Sequence, residues 1–321
     1  RVVVIELPVH SPALGAVEAA DGVAQRGLAA VAHVQRTGGV GGHELHLDLL
    51  PGAPCAVAVV GALFVDGPDD MAIVQTTVLK DFYKNGFGCI ERSTQMAKRH
   101  PGRFIVNGSF DPRDGEKALE YIHYMKETYD IQGVKMYTAE WNGSSKGWKL
   151  TDPDAYRCFE LCEKLGIKNI HVHKGPTIIP LNKDAFDVHD VDYAATDFQN
   201  LNWIVEHCGL PRLDDFCWIA TQETNVYGGL AVALPFIHTR PRYFAEVIAE
   251  LLFWIGPEKI LFGSDYAIWT PKWLVEKFWN FELPEDIAAE RGVQLTPEVK
   301  EKILGLNAAR LYGIDVAAKR N

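Results

Sequence analysis

The sequence predicts an α/β chain folded as a (β/α)₈ barrel. Short apolar, β-branched runs alternate with helical patterns through most of its 321 residues. Such alternation means right-handed βαβ units and a parallel sheet. Some runs, such as Ile260-Leu261-Phe262, are apolar at successive positions, as strands buried on both faces are. Several runs end in His, Asp or Glu, at the end where a barrel carries its chemistry.

The strand candidates are Met71–Val78, Phe104–Phe110, Gly133–Thr138, Asn169–His173, Leu201–His207, Asn225–Ala231 and Lys259–Gly263. Between them lie the helical candidates Gly115–Glu127, Asp154–Leu165, Tyr243–Ile255 and Trp273–Phe278, with Asp114 and Asp152 as N-caps. Seven strands are the second to eighth of a barrel whose first βα unit is missing or unreliable. An open doubly wound sheet is the competing architecture. No strand is followed by GxGxxG and no GxxxxGK[ST] occurs, so the barrel is preferred.

Residues 1–64 differ from the rest. Thirty-three of them are Ala, Val or Gly, and Lys, Asn, Tyr, Trp and Met are all missing. Gly38, Gly39, Gly41, Gly42, Pro51 and Pro54 interrupt any periodicity. Three explanations stand: an extension, a divergent first βα unit, or a segment read in the wrong frame, the last being preferred for the abruptness of the switch. The chain accordingly divides into an atypical segment, 1–64, and a barrel domain, 65–321.

A net charge of −10 argues against nucleic acid or an anionic membrane as partner. No apolar run reaches the length of a membrane span, and residues 1–7 lack a secretory pattern. The six cysteines form no CxxC pair and read as reduced thiols. The expected compartment is the cytoplasm, the expected partner a small-molecule substrate, and a homo-oligomer is allowed.

His173, His207 and Asp265 close the fifth, sixth and eighth strands, 34 and 58 residues apart. A lone histidine at a strand end is more often a structural residue held by hydrogen bonds. Three metal-capable side chains at one end of neighbouring strands favour a divalent-ion site. Lys135, inside the fourth strand, is either a carboxylated bridge between two metals or, more simply, a buried lysine paired with Glu206. Arg240 is either a bidentate grip on a substrate carboxylate or a helix-start ion pair. Tyr137, Glu140, Trp141 and Trp269 either line an aromatic pocket or pack. His171 faces the interior one layer below the site; His100, His123 and His189 are surface residues; Asp111 is a turn or cap residue.

Five stretches, "GVKMYTAEW" at 133–141, "IHVHKG" at 170–175, "VEHCGLPRL" at 205–213, "KILFGSDYA" at 259–267 and "KILGLNAARLYGI" at 302–314, resemble the amidohydrolase-related branch of the amidohydrolase superfamily, which includes decarboxylases similar to aminocarboxymuconate-semialdehyde and γ-resorcylate decarboxylases. The resemblance implies one divalent metal, usually zinc. It makes His173 a metal ligand, His207 a catalytic histidine beside the metal, and Asp265 a carboxylate that both binds metal and handles protons. It also implies H-x-H or E-x-H at the end of the first strand, and residues 1–64 hold no H-x-H. Hydrolysis of an amide, ester or lactone is the first function expected, non-oxidative decarboxylation of an aromatic or dienoic acid the second. An inactive barrel lacking the first-strand ligands is the third.

Overall fold

The computed structural model describes residues 2–6, 61–77, 89–175, 183–266 and 268–319. Eight parallel strands run in chain order: β1 (Val2–Glu6), β2 (Met71–Gln75), β3 (Phe104–Val106), β4 (Gly133–Tyr137), β5 (Asn169–His173), β6 (Asn202–Glu206), β7 (Val226–Gly229) and β8 (Ile260–Leu261). One run joins β1 to β3 and another β4 to β8. They meet at a parallel bridge between Gly108 and Val134, where Lys135 N donates to Gly108 O at 2.8 Å. Helices at 90–99, 116–129, 153–164, 189–197, 213–222 and 241–254 follow β2 to β7 in turn. This is the (β/α)₈ barrel.

The first strand corrects one expectation. It is not missing: Val2–Glu6 pairs with Met71–Gln75 in unbroken register, Val2 opposite Met71 and Glu6 opposite Gln75. Three consecutive valines and an isoleucine are strong strand formers. The surrounding Ala/Val/Gly-rich composition hid them. The strand ends in Glu6, but Pro8 stands where the histidine of E-x-H would be. Of the remainder of the atypical segment, residues 61–64 enter the π-helical turn Gly61–Val65, and residues 7–60, with the frame-error reading, lie outside the described residues.

The other strands fall where the sequence put them, though most are shorter. β3 stops at Val106 because the chain then touches β4 only through Gly108. β8 stops at Leu261 because Phe262 N turns to Ile303 O, 2.9 Å away. The π-helical turn Lys302–Leu306 packs on both β8 and β1, at the seam between last and first strands. Of the two expected aspartate caps, only Asp152 takes its position. Gly115, with φ 58°, takes the N-cap of 116–129 because Asp114 is consumed in the turn Pro112–Asp114. Asp152 occupies the N-cap of 153–164, but its carboxylate accepts from Lys149 N instead.

Register sorts the interior into layers, since alternate residues of a strand share a face. One layer holds Lys135, His171, Ile204 and Tyr227. The next, toward the strands' C-terminal ends, holds Tyr137, His173, Glu206, Gly229 and Leu261. The opposite parity faces the helices: Trp203 packs edge-on against Phe159, ring centres 4.9 Å apart. Met71, Ile73, Ile204, Leu261 and Tyr312 form an apolar cluster among these layers. Each large side chain buried this way contributes about 1.5–3 kcal/mol.

Candidate active site

The two site histidines meet. His207 Nε2 lies 2.9 Å from His173 Nδ1, and His207 Nδ1 lies 2.9 Å from the carbonyl of Ala231, at the end of β7. A carbonyl only accepts, so His207 Nδ1 carries a proton. In the neutral ring Nε2 is then an acceptor, and His173 must donate through Nδ1. That leaves the lone pair of His173 on Nε2, the form a metal ligand needs. Tyr137, one strand over, lies against the His173 ring at 4.2 Å between centres. Gly175 makes room: a Cβ there would stand 3.1 Å from both Cβ and Cδ2 of His207.

The backbone at this end is unusual. His207 and Cys208 after β6, Val232 after β7 and Asp265 after β8 all have positive φ, at 65°, 50°, 65° and 51°. Left-handed conformations cost non-glycine residues about 1–3 kcal/mol each and gather at functional sites, where packing holds them. For β-branched Val232 the conformation is an outlier. Asp265 is half-buried, its carbonyl accepting from Ile268 N at 2.9 Å. Burial pushes the neighbouring Cys208 thiol well above its usual value, so it is no thiolate nucleophile.

Beneath the histidine pair runs a buried polar chain. His171 Nδ1 meets Glu206 Oε1 at 2.7 Å, and His171 Nε2 meets the Tyr312 hydroxyl at 2.8 Å. Asn107 Nδ2 donates to that hydroxyl at 2.6 Å and to Gln75 Oε1 at 3.0 Å. Lys135 Nζ is 4.0 Å from Glu206 Oε1. Burial alone would raise the Glu206 carboxyl, but the Lys135 charge, the His171 bond and nearby His207 hold it at about 2. Glu206 is therefore an anion, with Lys135 as its counter-charge. This is the simpler of the two roles expected for the lysine.

The remaining candidates scatter. The Arg240 guanidinium lies over the Tyr243 ring at 4.3 Å, so the expected helix-start ion pair gives way to a cation–π contact. Trp269 is buried and Trp141 half-buried under Lys146, 5.4 Å from its ring. Asp111 caps its turn by accepting from Arg113 N at 3.0 Å and pairs with the Arg113 side chain. His123 and His189 are exposed and His100 half-buried. The five described cysteines are free thiols. No described helix is long and apolar enough to cross a membrane.

Imidazole and carboxylate suit a divalent ion in kind, and the tautomer of His173 is right. Among the described residues, however, no group of three or more His, Cys, Asp or Glu side chains converges as an ion needs. Of the expected ligands, His173 ends β5 and Asp265 follows β8.

A parallel eight-stranded barrel with a histidine pair at its C-terminal mouth, framed by left-handed backbone, defines a barrel enzyme. The chain belongs to the amidohydrolase family, whose model matches residues 7–314 and so runs through the atypical segment. No curated protein matches the sequence. Among solved structures, it is similar to an uncharacterized TIM-barrel protein from Bordetella bronchiseptica, with a TM-score of 0.66, 16% identity, and 98% of this chain and 99% of that one covered. It is similar to 4-oxalomesaconate hydratase from Rhodopseudomonas palustris, with a TM-score of 0.59, 16% identity and coverage of 98% and 97%. It is also similar to a dihydroxybenzoic acid decarboxylase from Polaromonas sp. JS666, solved with bound manganese and 2-nitroresorcinol, with a TM-score of 0.55, 14% identity and coverage of 84% and 89%. At such identities the likeness shows the fold.

Proposed function

We propose that the chain is a metal-dependent hydrolase of a small organic substrate, with His173 and Asp265 as ion-binding residues and His207 and Asp265 as proton-handling ones. The hydrogen-bond chain from the Ala231 carbonyl through His207 to His173 carries this reading, because it fixes the tautomer that ligation requires. When bound, a divalent ion supplies a Lewis acid and a water acidic enough to be a nucleophile near neutral pH. Asp265 would help hold that ion and would be the carboxylate able to accept a proton beside it. His207 orients His173 and holds a proton at Nδ1. To donate to a developing oxyanion, His207 must also take a proton at Nε2, because its Nδ1 proton is held by the Ala231 carbonyl and Nε2 accepts from His173 in the resting pair. Zinc is the ion expected from the sequence, and manganese, present in the Polaromonas relative, is the alternative.

Decarboxylation is the second reading, favoured by the Tyr137 ring against His173, which offers a stacking wall for an aromatic acid. Arg240, the expected carboxylate grip, does not strengthen it, being placed over Tyr243. Trp269 and Tyr137 remain the proposed substrate-facing aromatics. The test is metal analysis of the purified protein, followed by a panel of amides, esters, lactones and aromatic acids. Hydrolytic products are expected. Carbon dioxide release without hydrolysis would move the assignment to decarboxylation, and neither metal nor turnover would leave the inactive barrel.

A further inference from the structure

The strands that carry the histidine pair are cross-linked twice. The upper rung is His173 to His207, at 2.9 Å. The lower, one step toward the barrel floor, is His171 to Glu206, at 2.7 Å, joining the same strands β5 and β6. The C-terminal segment reaches up to this lower rung through Tyr312. Burial, partly offset by the Asn107 bond and reinforced by the Glu206 charge, drives the Tyr312 phenol upward, so it keeps its proton. Asn107 donates to the phenol oxygen, which leaves that proton for His171 Nε2. His171 must then carry its own proton on Nδ1, facing the ionised Glu206. Every bond in the chain has one direction, and each donor is set by the one before it.

We propose that Tyr312 and His171 are positioning residues for the histidine pair: the lower rung, oriented by the Tyr312 hydroxyl, holds β5 and β6 at the spacing that the upper rung needs. The inference rests on the functional reading given above, because its value lies in presenting His173 to an ion. Its geometry stands apart from that reading. His171 and His173 share the inward face of β5, and Glu206 precedes His207 in the chain. Gly229 leaves the space into which the Glu206 carboxylate fits. Apolar packing from Ile204 and Leu261 would fill the same layers without specifying a tautomer or a spacing.

The experiment compares the whole protein with Tyr312→Phe, His171→Leu and His171→Gln. Two readouts are taken: the downfield imidazole N–H proton signals, and affinity for Mn²⁺ as the probe ion. Tyr312→Phe removes one oxygen and keeps the ring. We expect it to weaken Mn²⁺ binding about tenfold, the low end for partners behind a metal ligand, and to broaden the upper-rung N–H signal. His171→Leu, which breaks both bonds, should do the same. His171→Gln, with an amide N–H for Glu206 and a carbonyl for Tyr312, should restore both readouts. A merely structural role would lower the unfolding midpoint and leave affinity and signal in the folded protein unchanged; that result in Tyr312→Phe overturns the proposal. If the unmodified protein takes up no Mn²⁺, the metal reading fails, and the imidazole signals alone decide on the rungs.

Discussion

Gly229 and Glu206 occupy ladder positions opposite one another on β7 and β6, and a methyl group on Gly229 would fall onto the Glu206 carboxylate. The carboxylate cannot retreat, because His171 and Lys135 hold its other side. Gly229→Ala is therefore expected to destabilise the fold by about 1–3 kcal/mol, the usual range for over-packing. Urea unfolding measures it. An unchanged midpoint would mean that the carboxylate has room to move.

Glu206 also predicts a pH dependence. Its folded-state carboxyl is lowered from the usual 4.5 to about 2. A lowered pKa contributes stability that is present above 4.5 and is lost as pH falls toward 2. Glu206→Gln alone removes the carboxylate that Lys135 faces in the interior and should cost about 3–5 kcal/mol. Adding Lys135→Met should recover most of that and flatten the stability profile between those pH values. A double variant as acid-sensitive as the original protein would place the acid lability elsewhere.

His207→Asn is expected to keep the fold while lowering turnover by about 10²-fold or more, the scale of a lost acid–base group. Steady-state kinetics on any substrate found by the panel provides the measurement. Full activity would remove His207 from the mechanism.

Asp265→Asn should cost both ion and activity, since a neutral amide neither ligates as strongly nor accepts a proton. Asparagine tolerates left-handed backbone, so the strained φ of 51° is preserved and the effect isolates the charge. Unchanged metal stoichiometry would contradict the ligand assignment.

Gly175→Ala probes the site from its rim. A Cβ 3.1 Å from the His207 ring must push that ring or be pushed. Loss of turnover with little loss of stability is the expected outcome. The opposite pattern, stability lost and turnover kept, would show that the ring has freedom to shift.

The sequence made seven strands legible because each is a β-branched run closed by turn residues, and the polar groups at their ends marked the mouth. Asn169–His173 was read to the residue. Val2–Glu6 was not, since four strand formers set in an Ala/Val/Gly-rich stretch carry no contrast. His173 and His207 could be named from their strand ends, but not the bond between them. That bond depends on a left-handed turn at His207 and Cys208, which no local pattern announces. Tyr312 was missed as a site residue: it lies 141 positions from His171, and only the folded floor of the barrel brings them together. The Lys135–Glu206 pair was legible, because a lysine inside a strand demands a buried anion.

The reach of Tyr312 into the barrel also bears on how the chain is made. Lys135, His171 and Glu206 are synthesised well before their last partner, and Asn169 and Ile260 likewise wait for Leu311 and Asn307 to close the floor. A nascent chain that has emerged only through β8 holds all eight strands, yet its lower layers stay open to water and its buried polar groups lack their terminal donor. Chains larger than about 100–150 residues populate such partly packed states. Emergence of Asn307–Tyr312 is thus the step that brings these buried groups their last partners.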